Sequence, residues 1–203
     1  MALQFKQGIF FHIPKTGGVF VRRAIHGLTA FCGCKEIGDS PHNDPLSVDV
    51  DLSQFLTFCV VRNPLSWYKS TYRYEVQYEE KIEKLPDWAM KYQEFARGGK
   101  SFQQFIELTL AEYPNGAATE MFTRFYPHVD IVLKTETLTE TLGEVIRQGG
   151  VKYTYSQVTL FPKFNLSDPS IDTSIDTSLL RTLYEIEKPL FDRFDYPAPS
   201  QLT

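Results

Sequence analysis

The chain has 203 residues, of which 42% are hydrophobic and 23% charged, with a formal net charge of -4. This length fits one domain and can bury a core without cross-links. The acidic balance excludes a broadly basic nucleic-acid binder and provides no global field to gather polyanions, so an anion site has to be built locally from a few Lys, Arg and backbone N–H groups. The three cysteines, Cys32, Cys34 and Cys59, are too few and too unevenly spaced for a disulfide framework. Cys59 lies in an apolar run and reads as core. Met1–Gly8 carries polar residues throughout its length, Ile9–Ile13 is too short for a signal-peptide core, and no run approaches the ~20 apolar residues of a membrane span. A cytoplasmic, reducing location is the expectation.

In chain order, Ile9–Ile13 reads as a buried strand ended by Pro14 and the pair Gly17–Gly18. Val19–Leu28 places apolar residues at 20, 21, 24, 25 and 28, one face of a helix. Gly33–Asp51 is polar and rich in Pro, Asp and Ser, and reads as a long surface loop with room for a short helix near its end. Phe55–Val61 is a second buried strand, stopped by Arg62-Asn63-Pro64. Leu65–Lys84 is predicted helical, with Trp67, Tyr68, Tyr72 and Val76 inward, until Pro86 interrupts. Asp87–Ala96 and Ser101–Leu110 read as two further helices, the second opened by a Ser101/Gln104 capping box. Val129–Leu133 is a third strand and Glu136–Gln148 the helix after it, closed by Gly149–Gly150. Tyr153–Asp176 is irregular, and Thr177–Phe194 is a last amphipathic helix that Pro189 kinks or shortens. No internal repeat or linker divides the chain, so residues 1–203 read as a single domain. Strands alternating with helices predict an α/β fold with a central parallel sheet flanked by helices on both faces.

The segment His12-Ile-Pro-Lys-Thr-Gly-Gly18 has the makings of a phosphate site. A strand delivers the chain to a turn, two glycines allow close approach of an anion, and a helix starts at once with its unpaired N–H groups and positive dipole end. Lys15 adds a charge and Thr16 a hydroxyl. The order is not that of a Walker A loop, because Lys15 precedes both glycines. The bland alternative is an ordinary strand-to-helix turn with a solvated lysine.

This segment resembles the 5′-phosphosulfate loop of sulfotransferases that use PAPS (3′-phosphoadenosine 5′-phosphosulfate), and with His12 in front it is similar to the Golgi-type and bacterial carbohydrate enzymes. A second block agrees: Phe58-Cys-Val-Val-Arg62-Asn63-Pro64 is followed by Ser70, eight residues after Arg62. Weaker likenesses lie at Val132–Leu138, Phe164–Ser167 and Phe191–Tyr196. The resemblance implies a P-loop-like three-layer fold and transfer of a sulfuryl group from PAPS to an acceptor hydroxyl, on a carbohydrate or another hydroxyl compound, leaving 3′,5′-adenosine bisphosphate.

The resemblance also assigns roles. Lys15 contacts the oxygen bridging phosphorus and sulfur. Gly17 and Gly18 offer N–H groups and Thr16 a hydroxyl to the 5′-phosphate, and Arg62 and Ser70 hold the 3′-phosphate. Val19 stands where the family usually has Thr, which removes one hydroxyl contact. Phe20 is either a ring against adenine or a core residue of the helix. His42, upstream of the Arg62 strand, is the expected general base, since His suits neutral pH. Glu75, one turn beyond Ser70, is the reserve, or else a surface charge. No metal is required by in-line transfer of this kind. The segment 72–100, rich in Tyr, Trp, Lys and Glu, is either an acceptor surface or the solvated side of ordinary helices. Two other readings stay open: a binding protein that has lost its chemistry, and a nucleotide kinase with an unusual phosphate loop. The second needs a carboxylate for magnesium, where the second strand instead ends in Arg62-Asn63.

Overall fold

A computed structural model describes residues 2–29, 33–40, 42–77, 87–96, 100–152 and 168–203. The sequence reading at Pro86 and Phe164–Ser167 lies outside the described residues, as does Cys32. The fold is α/β, with a five-stranded sheet in the order β3-β1-β2-β4-β5. The strands are β1 (Ala2–Phe5), β2 (Gly8–Phe11), β3 (Cys34–Ile37), β4 (Leu56–Val61) and β5 (Ile131–Lys134). β2, β4 and β5 run parallel, with Phe11 opposite Cys59 and Val61 opposite Lys134.

The three parallel strands are those read from the apolar runs. The expectation of a wholly parallel sheet is corrected, because β1 pairs antiparallel with both β2 and β3. Both added strands have only four residues, too short to show a period. The turn between β1 and β2 is Lys6-Gln7, which carries no glycine, although Lys6 takes a positive φ of 38°. β3 occupies part of the segment read as a surface loop.

By its contacts the chain groups into two units, residues 1–62 with 121–165, and residues 63–120 with 166–203. In the first, the sheet presents Leu3, Phe5, Phe10, Phe58, Val60 and Leu133 on one face. Helices α1 (Gly18–Leu28) and α6 (Leu138–Gln148) bury Phe20, Val21, Ala24, Ile25, Leu138, Leu142, Val145 and Ile146 in the same cluster. Those spacings are helical stripes, while the strand residues alternate. Ile9, Phe11, Cys59 and Val61, on the other face, are also fully buried, which explains why β2 and β4 read as unbroken apolar runs. After α6, Gly150 takes φ 86° and its N–H bonds to the Arg147 carbonyl, ending the helix as its sequence foretold.

The second unit holds α2 (Pro64–Gln77), α3 (Asp87–Ala96), α4 (Phe102–Glu112), the start of α5 (Ala117–Thr123), and α7 (Thr177–Arg193). α2 packs on α3, α4 and α7. Trp67, Tyr68, Tyr72, Tyr92, Phe102 and Phe105 are buried there. The capping box of α4 is formed as read, with the Ser101 side chain accepting from the Gln104 N–H and the Gln104 side chain accepting from the Ser101 N–H. Pro189 lies inside α7 and does not end it. α5 went unread. So did a short tandem pattern before α7, in which Asp168, Asp172 and Asp176 each accept from the hydroxyl of the Ser two residues on. Among the described residues, no helix is long and apolar enough to cross a membrane.

Candidate functional site

The carboxyl ends of β2, β4 and β5 lie side by side in the first unit, where open parallel sheets bind ligands. Each end contributes a segment: His12–Gly17 after β2, Arg62 after β4, and Thr135 after β5.

The first segment has an unusual backbone. Lys15 has φ 64° and Gly17 has φ 86°, while Pro14, Thr16 and Gly18 are not in the positive range. Alternation of φ sign along consecutive residues turns successive N–H groups toward one concavity, the geometry of an anion-binding nest. Gly17 is also the N-cap of α1. The N–H groups of Phe20 and Val21 both close on its carbonyl, so the amides ahead of them have no acceptor within the helix. The two glycines differ in why they are needed. Gly17 supplies the left-handed φ. Gly18 is ordinary helix, but a Cβ there would lie 1.9 Å from Cδ2 of His12, so its missing side chain is what lets that imidazole pack.

The loop is held from below through its carbonyls. Arg62 donates from Nη1 to the Lys15 carbonyl at 3.1 Å. The Thr135 hydroxyl lies 2.8 Å from the Thr16 carbonyl and 2.9 Å from the Val61 carbonyl, bridging the loop to the end of β4. The Thr16 hydroxyl donates inward to the Ile13 carbonyl at 2.8 Å, and the residue is fully buried. The proton that the resemblance assigns to a phosphate is thus committed to closing the turn. Thr135 was missed as a functional residue; its signal was its position directly after the third strand, inside the Val132–Leu138 likeness.

His42 reaches the same region from the 39–47 loop. Asn43 accepts from the Ser40 N–H at 2.8 Å and donates to Asp39 and Ser47, each at 3.2 Å. Asp44 caps the following 3-10 turn by accepting from the Leu46 N–H and pairs with Arg124 at 2.8 Å. What reads in sequence as a loose polar loop is therefore tied down by its own Asx side chains. His42 Nδ1 sits 3.1 Å from the His12 carbonyl, and the two imidazoles are 4.8 Å apart between centroids. A carbonyl accepts only, so Nδ1 carries the proton and the lone pair resides on Nε2. Burial first, with the charges of Arg22 and Lys15 adding, pulls the His42 pKa down to about 4, opposed by the bond to the His12 carbonyl. Burial, then His42, Arg22 and Lys15, hold His12 well below the usual imidazole range. Both rings are neutral at physiological pH.

The remaining sequence candidates are placed as follows. Val19 is half-buried in the first turn of α1. Phe20 is 7% exposed and belongs to the buried cluster that holds Val21, Phe58 and Leu133. The two other histidines of the chain, His26 and His128, are exposed. Ser70 and Glu75 belong to the second unit, on α2, at 6% and 4% exposure; Glu75 is thus not a surface charge. Among the described residues no cluster of three His, Cys, Asp or Glu side chains is poised for a metal ion.

Comparison with known proteins adds no relative: no protein-family model, no curated protein and no solved structure matches the chain.

Proposed function

We propose that this chain is a PAPS-dependent sulfotransferase of P-loop-like architecture, with the loop at residues 14–18 as its 5′-phosphosulfate site. The observation that carries the reading is the alternating φ of Pro14–Gly18 at the start of a helix, with Lys15 inside the turn and Arg62 in contact with it. An anionic group of the size of a phosphosulfate fits such a nest. The nucleotide would supply the sulfuryl group. The amides of Gly17, Gly18 and Val19 bind phosphate oxygens, and Lys15 neutralises charge on the bridging oxygen, as preorganised donors do in reactions of this kind. Arg62 binds the 3′-phosphate, the role the resemblance gives it. Ser70 joins it on the strength of the Arg62–Ser70 spacing alone. His42 Nε2 takes the proton of an acceptor hydroxyl as the oxygen attacks sulfur. The acceptor is a carbohydrate or another hydroxyl compound.

The test is a thermal-shift comparison of 3′,5′-adenosine bisphosphate, ATP, GTP and NAD. At one hundred times its Kd a specific nucleotide stabilises by about 2.7 kcal/mol, or roughly 5–10 °C at this chain length. The bisphosphate should give the largest shift. A larger shift with ATP and magnesium would replace this reading with the kinase.

A further inference from the structure

We infer that Thr135 is a positioning residue that aims the Gly17 amide into the anion loop; the assignment rests on the loop being the phosphate site proposed above. Its basis is the planarity of the peptide unit. In a trans peptide the C=O of one residue and the N–H of the next point in opposite directions. The Lys15 carbonyl is gripped by Arg62 at 3.1 Å, so Arg62 fixes the direction of the Thr16 N–H. The Thr16 carbonyl is gripped by Thr135 at 2.8 Å, so Thr135 fixes the direction of the Gly17 N–H. The same hydroxyl lies 2.9 Å from the carbonyl of Val61, the last residue of β4. One proton shared between these two acceptors references the loop to the sheet rather than to another loop.

Such a grip matters here because the loop is strained. Lys15 holds φ 64°, a region a lysine keeps only when its surroundings impose it. Gly17, at φ 86°, has almost no steric preference of its own and would turn freely without a fixed carbonyl on its amino side. A Cβ built there would approach Leu138 Cδ2 at 3.2 Å, closer than ordinary contact, and Thr135 Cγ2 at 3.7 Å. Packing limits the loop on that side, while the hydroxyl of Thr135 holds the carbonyl that orients the amide. The placement of Thr135 follows from β5 itself, which ends at Lys134 beside Val61 and hands the next residue to the loop.

The test uses two variants of the full chain. Thr135→Val keeps the branched shape and removes the proton. Thr135→Ser keeps the proton and removes the methyl. Two quantities are read: amide hydrogen exchange of Phe20 and Val21, whose N–H groups bond the Gly17 carbonyl, by NMR in the free protein, and the Kd of 3′,5′-adenosine bisphosphate by calorimetry. Loss of one such bond is worth about a tenfold change in either. Thr135→Val should exchange about tenfold faster at these two amides and bind about tenfold more weakly, and Thr135→Ser should return both to within about twofold of wild type. Unchanged exchange in Thr135→Val overturns the assignment. So does failure of serine to rescue, or fast exchange with unaltered affinity. If wild type itself does not bind the bisphosphate, the donor reading falls, and the exchange rates alone then decide whether Thr135 positions the loop.

Discussion

Gly18 and His12 share one volume: the imidazole lies where a Cβ would be, and the His12 carbonyl receives the His42 ring. A single residue after β2 thus joins the glycine loop to His42. Gly18→Ala is expected to destabilise the protein by about 1–3 kcal/mol, the usual cost of overpacking, because the ring has to leave. Urea denaturation would measure it, and an unchanged midpoint would mean that His12 has room to spare. The motif His12–Gly18 was legible as a strand-to-helix turn from its residues. That Gly18 serves a histidine was not, since nothing in a sequence shows which side chain folds back on which backbone. The His42 tautomer likewise depends on a carbonyl thirty residues away.

At the scale of elements, the periodic helices and the unbroken apolar strands were readable, and β1, β3 and α5 were not. α1, α4 and α6 carry apolar stripes with capping or glycine signals at their ends. β1, β3 and α5 are four to seven residues long and lack such signals, and β3 and α5 are held by partners distant in sequence. α5 is the clearest case. Its start is capped by Glu187 of α7, which accepts from Ala118 and Thr119 N–H at 3.0 and 2.9 Å, from the Thr119 hydroxyl at 2.7 Å, and from the Tyr68 hydroxyl at 2.6 Å. Gly116, at φ 92°, leaves room for that carboxylate, since a Cβ there would meet Glu187 at 2.7 Å. Burial pushes the Glu187 pKa up, and the four donors pull it back. Glu187→Ala leaves buried donors without an acceptor, at about 1–3 kcal/mol each. The expected loss is at least about 3 kcal/mol, or roughly 6–12 °C in Tm at this chain length, and calorimetry would show it. A melting point within 2 °C of wild type would mean that water replaces the carboxylate.

At the scale of the molecule, the imidazole pair couples stability to pH. In the unfolded chain both histidines take a proton near pH 6.5. In the fold His42 holds out to about 4 and His12 is also depressed. Between those pH values the unfolded state binds more protons, so stability is whole above about 6.5 and falls as the pH drops toward 4. Glu187, raised, works in the opposite sense and gains on acidification. Comparing wild type with His42→Gln cancels that contribution. The variant should show a shallower fall in Tm between pH 6.5 and 5, and equal slopes would mean that His42 ionises freely in the fold.

Sequence alone determined the alternation of strand and helix, the three parallel strands, the glycine loop between β2 and α1, and the presence of Arg62 at the end of β4. These follow from apolar periodicity and from glycine and proline, which act over a few residues. Only the tertiary structure decided that β1 and β3 add an antiparallel side to the sheet, that Arg62 and Thr135 grip successive carbonyls of the loop, and that His42 is oriented by His12. Apart from the β1–β2 pairing, which closes over the Lys6-Gln7 turn, each of these is a contact between segments tens of residues apart. Such contacts are set by strand register and side-chain packing, and local sequence carries no record of either.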